Sequence, residues 1–273
     1  MSRAPKTARS RQTVEPEPVA AVAAEMPADA VGNLAAHRRK RRGVYVSPLA
    51  RIVRCTVHGQ TVQFTVVNAR DEIQKHHLQG EFYEPEELAI IARHFPVGGN
   101  FCDIGTNVGN HTVYVAKFLH ATRVVVFEPN PAAIAILESN IFLNNIHAVV
   151  DRQYLGIGLS DRPGSAVSMR VPKRNLGASR VVEGAGDLRL ESGDALLTDQ
   201  RFDLIKIDVE GMELKVLAGM KDLVAQTRPK IFIEVDQVNQ AGFDAWMVEA
   251  QYEVIERFQR YARNTNYLVA ARG

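Results

Sequence analysis

The segment Asp103-Ile104-Gly105-Thr106-Asn107-Val108-Gly109 sets a carboxylate just ahead of a turn framed by two glycines. Glycine lets a backbone turn sharply and come close to a ligand. The spacing is G-x-x-x-G, whereas a pyrophosphate site wants G-x-G-x-x-G with a helix N-terminus open to the anion. Asp103 in that place repels a phosphate and suits a ligand with a cationic amino-acid end. Glu128 follows at the end of the apolar run Arg123 to Phe127, 19 residues after Gly109. A carboxylate at such a strand end accepts hydrogen bonds from vicinal ribose hydroxyls. Both elements therefore address one crevice, and together they describe a nucleoside with a positive tail.

S-adenosylmethionine has those parts: a ribose, a sulfonium and an amino-acid end. A second charged stretch, Lys206-Ile207-Asp208-Val209-Glu210-Gly211-Met212-Glu213, closes another apolar run. Charges there sit at the mouth of a sheet and can orient a substrate or take its proton. Asp208 and Glu210 are the candidate proton acceptors. Lys206 either steers the substrate or, if desolvated, acts as a base. Glu213 reads as a carboxylate placed favourably in a first helical turn. His111 and Glu234 are minor candidates, His111 as a titratable group past the glycine loop and Glu234 as part of the acceptor pocket. Asp208 and Glu210 have the chemistry to ligate Mg²⁺, but no dedicated metal site is expected. Neither cysteine belongs to a Cys/His cluster of zinc-ligand spacing.

These residues need a scaffold that presents strand ends side by side. From Val44 onward the composition is globular. Thr61 to Val67 reads as a strand, and Glu84-Pro85-Glu86-Glu87 opens a helix that Gly98-Gly99 closes. Strand and helix then alternate. Phe101 to Ile104 is a strand, Thr112 to Leu119 a helix, Arg123 to Phe127 a strand and Pro131 to Asn144 a helix. Gln153 to Leu159 is expected as the third strand, with inserted β-structure over 165–191. Phe202 to Ile207, a helix Glu213 to Leu223, Lys230 to Val235 and a helix around Phe243 to Ala250 follow. Tyr252 to Phe258 and Tyr267 to Ala270 have no room for a helix between them. They are expected as an antiparallel pair at the edge of a mostly parallel, doubly wound α/β sheet.

Composition narrows the class. Of 273 residues, 46% are hydrophobic and 23% charged, which suits a globular core built without disulfides. Residues 1–43 carry nine Lys/Arg against four Asp/Glu, so a basic tail precedes a body of net charge −3. The tail is expected to be disordered, because its Ala, Pro, Arg and Glu content buries too little apolar surface to offset ordering. Its run Arg38 to Arg42 reads as a solvated tail, with nucleic acid or anionic lipid as the alternative partner. Residues 44–98 are expected to cap the core, and 99–273 to form the main domain. No apolar stretch reaches membrane-spanning length and no secretory pattern is present, so a cytoplasmic location is expected.

With these residues placed, the chain resembles the FkbM family of methyltransferases. The matching segments are FCDIGTNVGNHT, VVVFEPNP and LIKIDVEGMELKVLAGM, supported by GEFYEPEEL, GLSDRPG, NLGAS, KIFIEV and NYLVA. The resemblance covers about residues 80 to 270. It implies a Rossmann-like class I fold, S-adenosylmethionine as cofactor, and O-methylation of a small-molecule hydroxyl on a sugar or secondary metabolite. By that resemblance Asp103, Gly105, Asn107 and Gly109 hold the methionine end, Glu128 takes the ribose, and Ser160-Asp161 lies near the adenine. Thr106 stands where the family has a small residue. Three other readings stand beside it: a nicotinamide-dependent oxidoreductase, disfavoured by the loop; a nucleic-acid methyltransferase using the tail, disfavoured because the body lacks an aromatic-basic pattern and an N/D-P-P-Y element; and a non-catalytic member that keeps only the fold.

Overall fold

The computed structural model describes residues 50–170, 180–183, 186 and 188–273. The expected tail, 1–43, and the NLGAS segment, 175–179, lie outside them. The described chain begins with a hairpin of β1 (Arg51–Val57) and β2 (Gln60–Val66). His58 and Gly59 both have positive φ in its two-residue turn, the backbone that matches the twist of paired strands. Val62, Phe64 and Val66 alternate into the core along β2, as a period-two strand requires. Two helices come next, α1 (Glu72–Leu78) and α2 (Pro85–His94). Asp71 caps α1 by accepting from the Ile73 and Gln74 amides.

The central sheet has seven strands. These are β3 (Asn100–Ile104), β4 (Arg123–Phe127), β5 (Val150–Asp151), β10 (Leu204–Ile207), β11 (Lys230–Asp236), β12 (Tyr252–Phe258) and β13 (Asn264–Ala271). Their order is β12-β13-β11-β10-β3-β4-β5. β5, β4, β3, β10 and β11 run parallel, while β13 is antiparallel to both β11 and β12. The antiparallel pair stands at the edge as expected, its reversed member being the inner strand.

Alternate residues build two cores. Cys102, Ile104, Val125, Phe127, Ile205 and Ile207 face one layer, packed by α6 (Glu213–Ala218), α7 (Lys221–Thr227) and α8 (Gln240–Glu249). Phe101, Val124, Val126, Leu204 and Phe232 face the other, packed by α2, α3 (Asn110–Phe118) and α4 (Pro131–Leu143). Strands buried on both faces explain the unbroken apolar runs. Phe64, Leu88 and Ile91 belong to this second core, so the 51–94 segment is continuous with the main sheet.

Two expected elements change. The third strand of the main sheet is Val150–Asp151, not Gln153 to Leu159. A turn closes at Leu155, Gly156 takes φ 88°, and the chain leaves the sheet. The residues expected in that strand supply β6 (Ile157–Leu159) of a second sheet, order β6-β9-β7-β8. It contains β7 (Gly164–Arg170), β8 (Arg180–Glu183) and β9 (Leu188–Glu191), and so realises the expected inserted β-structure. The helix expected over Glu213 to Leu223 is two helices, α6 and α7, parted at Gly219-Met220. A Cβ on Gly219 would stand 2.0 Å from the Ser160 carbonyl oxygen, so glycine is required where the helical layer meets the end of β6. The short α5 (Gly193–Leu196) leads into β10. Among the described residues no helix is long and apolar enough to cross a membrane.

Candidate active site

The carboxyl ends of β3, β4, β10 and β11 open on one cavity of about 460 Å³, where ligands of open α/β sheets bind. Gly105, Thr106, Asn107, Glu128, Lys206, Asp208, Glu210 and Glu234 all line it, with Tyr83 and Glu84 opposite. Gly105 has φ 79°, and a Cβ there would stand 1.8 Å from the Asp208 carbonyl oxygen. The loops after β3 and β10 can touch only because that side chain is absent. Asn107 also has positive φ, 53°, and its amide donates to Glu128 Oε2 at 2.8 Å.

Glu128 accepts a second backbone bond, from the Asn130 amide to Oε1 at 2.7 Å. Burial pushes its carboxyl up to about 7, against the pull of these two amides. Each oxygen keeps a further lone pair for a ligand hydroxyl. Beside it Phe127, Pro129, Ile157, Leu159 and Leu190 form an apolar slot. Ser160 and Asp161 do not line the cavity. Ser160 is buried and its hydroxyl donates to Asp161 Oδ1 at 3.0 Å, so β6 reaches the slot through Ile157 to Leu159 instead.

Asp103, expected beside the methionine end, does not line the cavity. It is fully buried behind the loop, with hydroxyls of Thr106 and Thr112 donating to Oδ2 at 2.9 and 2.7 Å. Its Oδ1 lies 3.3 Å from Lys206 Nζ, and the two residues are register partners on neighbouring strands. Burial works to raise the Asp103 carboxyl, but Lys206 and the other neighbours outweigh it and hold it low. Thr106, the departure from the small residue of the family pattern, thus has a structural use. Gly109 likewise faces away from the cavity, with φ 88° and space for a Cβ denied by Leu137 Cδ1 at 2.5 Å.

Lys206 is 3% exposed. Its ammonium lies 3.4 Å from Asp208 Oδ2 and donates to the Gly105 carbonyl at 3.4 Å. Burial alone would strip its proton, yet Asp103, Asp208 and Glu84 overcome that and hold it above the ordinary lysine range. It is therefore a fixed cation and not the desolvated base that the sequence allowed.

Glu84 is the site residue that sequence reasoning missed, having read it only as part of a helix start. It takes left-handed backbone, φ 58°, at the N-cap of α2, and its side chain makes no capping hydrogen bond. The carboxylate turns into the cavity, where Oε2 lies 3.9 Å from His111 Nε2. Asn110 fixes this segment by accepting from the Tyr83 amide at 2.9 Å and donating to the Tyr83 carbonyl at 2.8 Å. Burial first, then Asp208 and Glu87, push Glu84 up to about 8. The available signal was a glutamate, a poor capping residue, where Ser, Thr, Asp or Asn is preferred.

Glu234 accepts from Asn264 Nδ2 at 2.6 Å and is pushed up to about 9 by burial, then Asp208, Glu84 and Glu210. Glu213 instead turns back on its own loop, accepting from the Gly211 amide. Burial, then the Lys206 charge, push His111 down to about 3. One oxygen each from Asp208, Glu210 and Glu234 lies within 4.8 Å of the others, a spacing that a divalent cation accepts. The Lys206 ammonium already brings positive charge against Asp208.

A glycine cradle, a buried carboxylate with open lone pairs, an apolar slot and an acidic far wall accommodate a cationic nucleoside. They suit a pyrophosphate poorly. The family model described as "Methyltransferase FkbM domain" matches residues 103–264. The chain is similar to "Methyltransferase 1" of Beauveria bassiana, 25% identical over 47% of this chain and 61% of that protein. It is also similar to "Hexuronic acid methyltransferase AglP" of Haloferax volcanii, 28% identical over 60% of this chain and 66% of that protein. The chain thus spans less than two thirds of the length of these relatives. Among solved structures, methyltransferase FkbM from Methylobacillus flagellatus aligns over 64% of this chain and 44% of that chain, with 16% identity and TM-score 0.49.

Proposed function

The chain belongs to the FkbM methyltransferase domain family, and from that premise we propose that it methylates a hydroxyl of a sugar or secondary metabolite with S-adenosylmethionine. The observation that carries the cofactor reading is the union of loop and carboxylate: Asn107 N–H bound to Glu128, at the mouth of a slot lined by Phe127 and Leu159. Gly105 and Asn107 form the backbone cradle, Glu128 receives the ribose hydroxyls, and the slot takes the adenine. Asp103 and Gly109 act one layer back, Asp103 by anchoring Lys206 and Gly109 by seating the loop on α4. Ser160-Asp161 would act from beyond the slot, by fixing the end of β6.

When bound, the cofactor supplies a methyl group already activated on a positive sulfur. The chain has to align the acceptor oxygen and remove its proton. Asp208 and Glu210 are the proposed proton acceptors, on the loop after β10, and Glu234 faces them from β11. Lys206 holds Asp208 in place and balances part of the charge. A correctly placed base contributes about 10²–10⁴-fold to such a step. A sugar acceptor draws support from the polar far wall and from the relative named as a hexuronic acid methyltransferase.

The test is a thermal-shift comparison of adenosyl and nicotinamide cofactors. Stabilisation by S-adenosylmethionine and S-adenosylhomocysteine but not by NAD(H) is the expected result. The reverse pattern would return the chain to oxidoreductase chemistry.

A further inference from the structure

The cofactor reading leaves one charge without a partner. S-adenosylmethionine carries an α-ammonium on its amino-acid end, and the residue the sequence offers it, Asp103, is sealed. Asp103 Oδ2 is taken by the hydroxyls of Thr106 and Thr112, and Oδ1, which accepts no hydrogen bond among the described residues, is buried 3.3 Å from the Lys206 ammonium and shut off from the cavity.

The cavity presents a different carboxylate beside the glycine loop. Glu84 arrives from the turn before α2, held by the two hydrogen bonds between Tyr83 and Asn110. Its side chain is not spent on the helix it caps and keeps 15% exposure. Lys206, which touches the Gly105 carbonyl, feels the Glu84 charge, so carboxylate and loop share one neighbourhood.

An independent feature points to a ligand there. His111 Nε2 is buried, faces Glu84 at 3.9 Å, and has no hydrogen-bond partner among the described residues. His111 is 5% exposed and opens α3 directly after the loop. Its depressed titration leaves the ring neutral near pH 7, so with the proton on Nδ1 its Nε2 lone pair accepts a donor. Asn107 Oδ1 is a second buried acceptor without a hydrogen-bond partner among the described residues. The nearby cationic donors are engaged: Lys206 on Asp103 and Asp208, and Arg263 on Asp236 at 3.0 and 2.8 Å. What remains at the mouth of the loop is a surplus of acceptors, and a primary ammonium brings three donors and a positive charge.

We propose that Glu84, with His111 beside it, receives the α-ammonium of the cofactor in place of Asp103. The assignment rests on the S-adenosylmethionine reading and deepens it. It places a cofactor-binding residue outside the segment 103–264 that matches the family model.

The full chain is titrated calorimetrically with two probes, S-adenosylhomocysteine and 5′-methylthioadenosine. The second keeps the nucleoside and thioether but lacks the amino-acid end. Glu84→Gln removes a charged hydrogen-bond partner, so it weakens S-adenosylhomocysteine about 10- to 100-fold and leaves methylthioadenosine within about twofold. In the wild type, both probes feel Glu128 titrate beneath the ribose, so the expected mark of Glu84 is an affinity for S-adenosylhomocysteine that rises more with pH than that for methylthioadenosine, a difference that Glu84→Gln abolishes. Glu84→Asp keeps the charge and recovers part of the loss, and it carries the comparison if the amide variant does not fold. Equal weakening of both probes, or no weakening of either, overturns the assignment of Glu84 alone. A wild type that binds neither probe overturns the cofactor reading and this proposal with it.

Discussion

Glu128 gives one lone pair of each oxygen to the backbone, through Asn107 and Asn130 N–H, and keeps the others for a ligand. Exchanging it for an amide places an NH₂ against one of those N–H groups and removes the charge. Glu128→Gln is expected to cost about 1.5–3 kcal/mol of ligand binding, the range for hydrogen bonds to charged groups. That is a roughly 10- to 100-fold weaker S-adenosylhomocysteine by calorimetry. At this scale the sequence was informative about position where local spacing fixes it, since Gly105, Asn107 and Glu128 come together on one cavity. It was silent where a role depends on a residue from another strand. Asp103 looks like a ligand contact until Lys206, its register partner, is brought against it. Glu84 looks like a helix start until the Asn110 clasp turns it inward.

The N-terminal hairpin is tied to the glycine loop through one buried side chain of α4. Asn140 accepts from the Thr65 amide at 2.7 Å and donates to the Val108 carbonyl at 2.8 Å. Asn140→Leu leaves an amide and a carbonyl buried without partners, at a cost of about 1–3 kcal/mol each. A lower urea midpoint together with weaker S-adenosylhomocysteine binding is expected, and lost stability at unchanged affinity would show that the tie does not reach the loop. The same region shows why some elements were illegible. β1 is largely exposed and mixes arginines with apolar residues, so it lacks the unbroken run that marks the central strands. In α1 the buried face includes Gln74 and His77, the latter stacked on Phe64 at 4.0 Å, and polar residues on a core face hide a helix from hydropathy. The central parallel strands β3, β4, β10 and β11 were legible because both of their faces are apolar, whereas β5, two residues at the sheet edge, is too short to leave such a run.

Across the whole molecule the acidic wall sets a pH dependence. Glu84 and Glu234 titrate near 8 and 9 in the folded chain, against the ordinary carboxylate range when unfolded. Below that range both states hold their protons and the stabilisation is intact. As pH rises the unfolded chain ionises first, so stability drains until pH passes the folded values. The cofactor-free protein is therefore expected to lose melting temperature from about pH 5 to about pH 9. A double variant, Glu84→Gln with Glu234→Gln, is expected to flatten that slope, and an unchanged slope in it would show that other groups set the dependence.

The middle of the sheet joins segments far apart in the chain. The Asn100 amide donates to Asp203 Oδ2 across 103 positions, and β10 docks beside β3 only when that span closes. Closing so long a loop costs chain entropy before its contacts can repay it. Until it closes, the crevice does not exist and the Lys206 ammonium remains hydrated. A nucleoside that binds only the closed crevice would have nothing to grip on an incomplete chain, and would stabilise the finished protein without guiding its assembly.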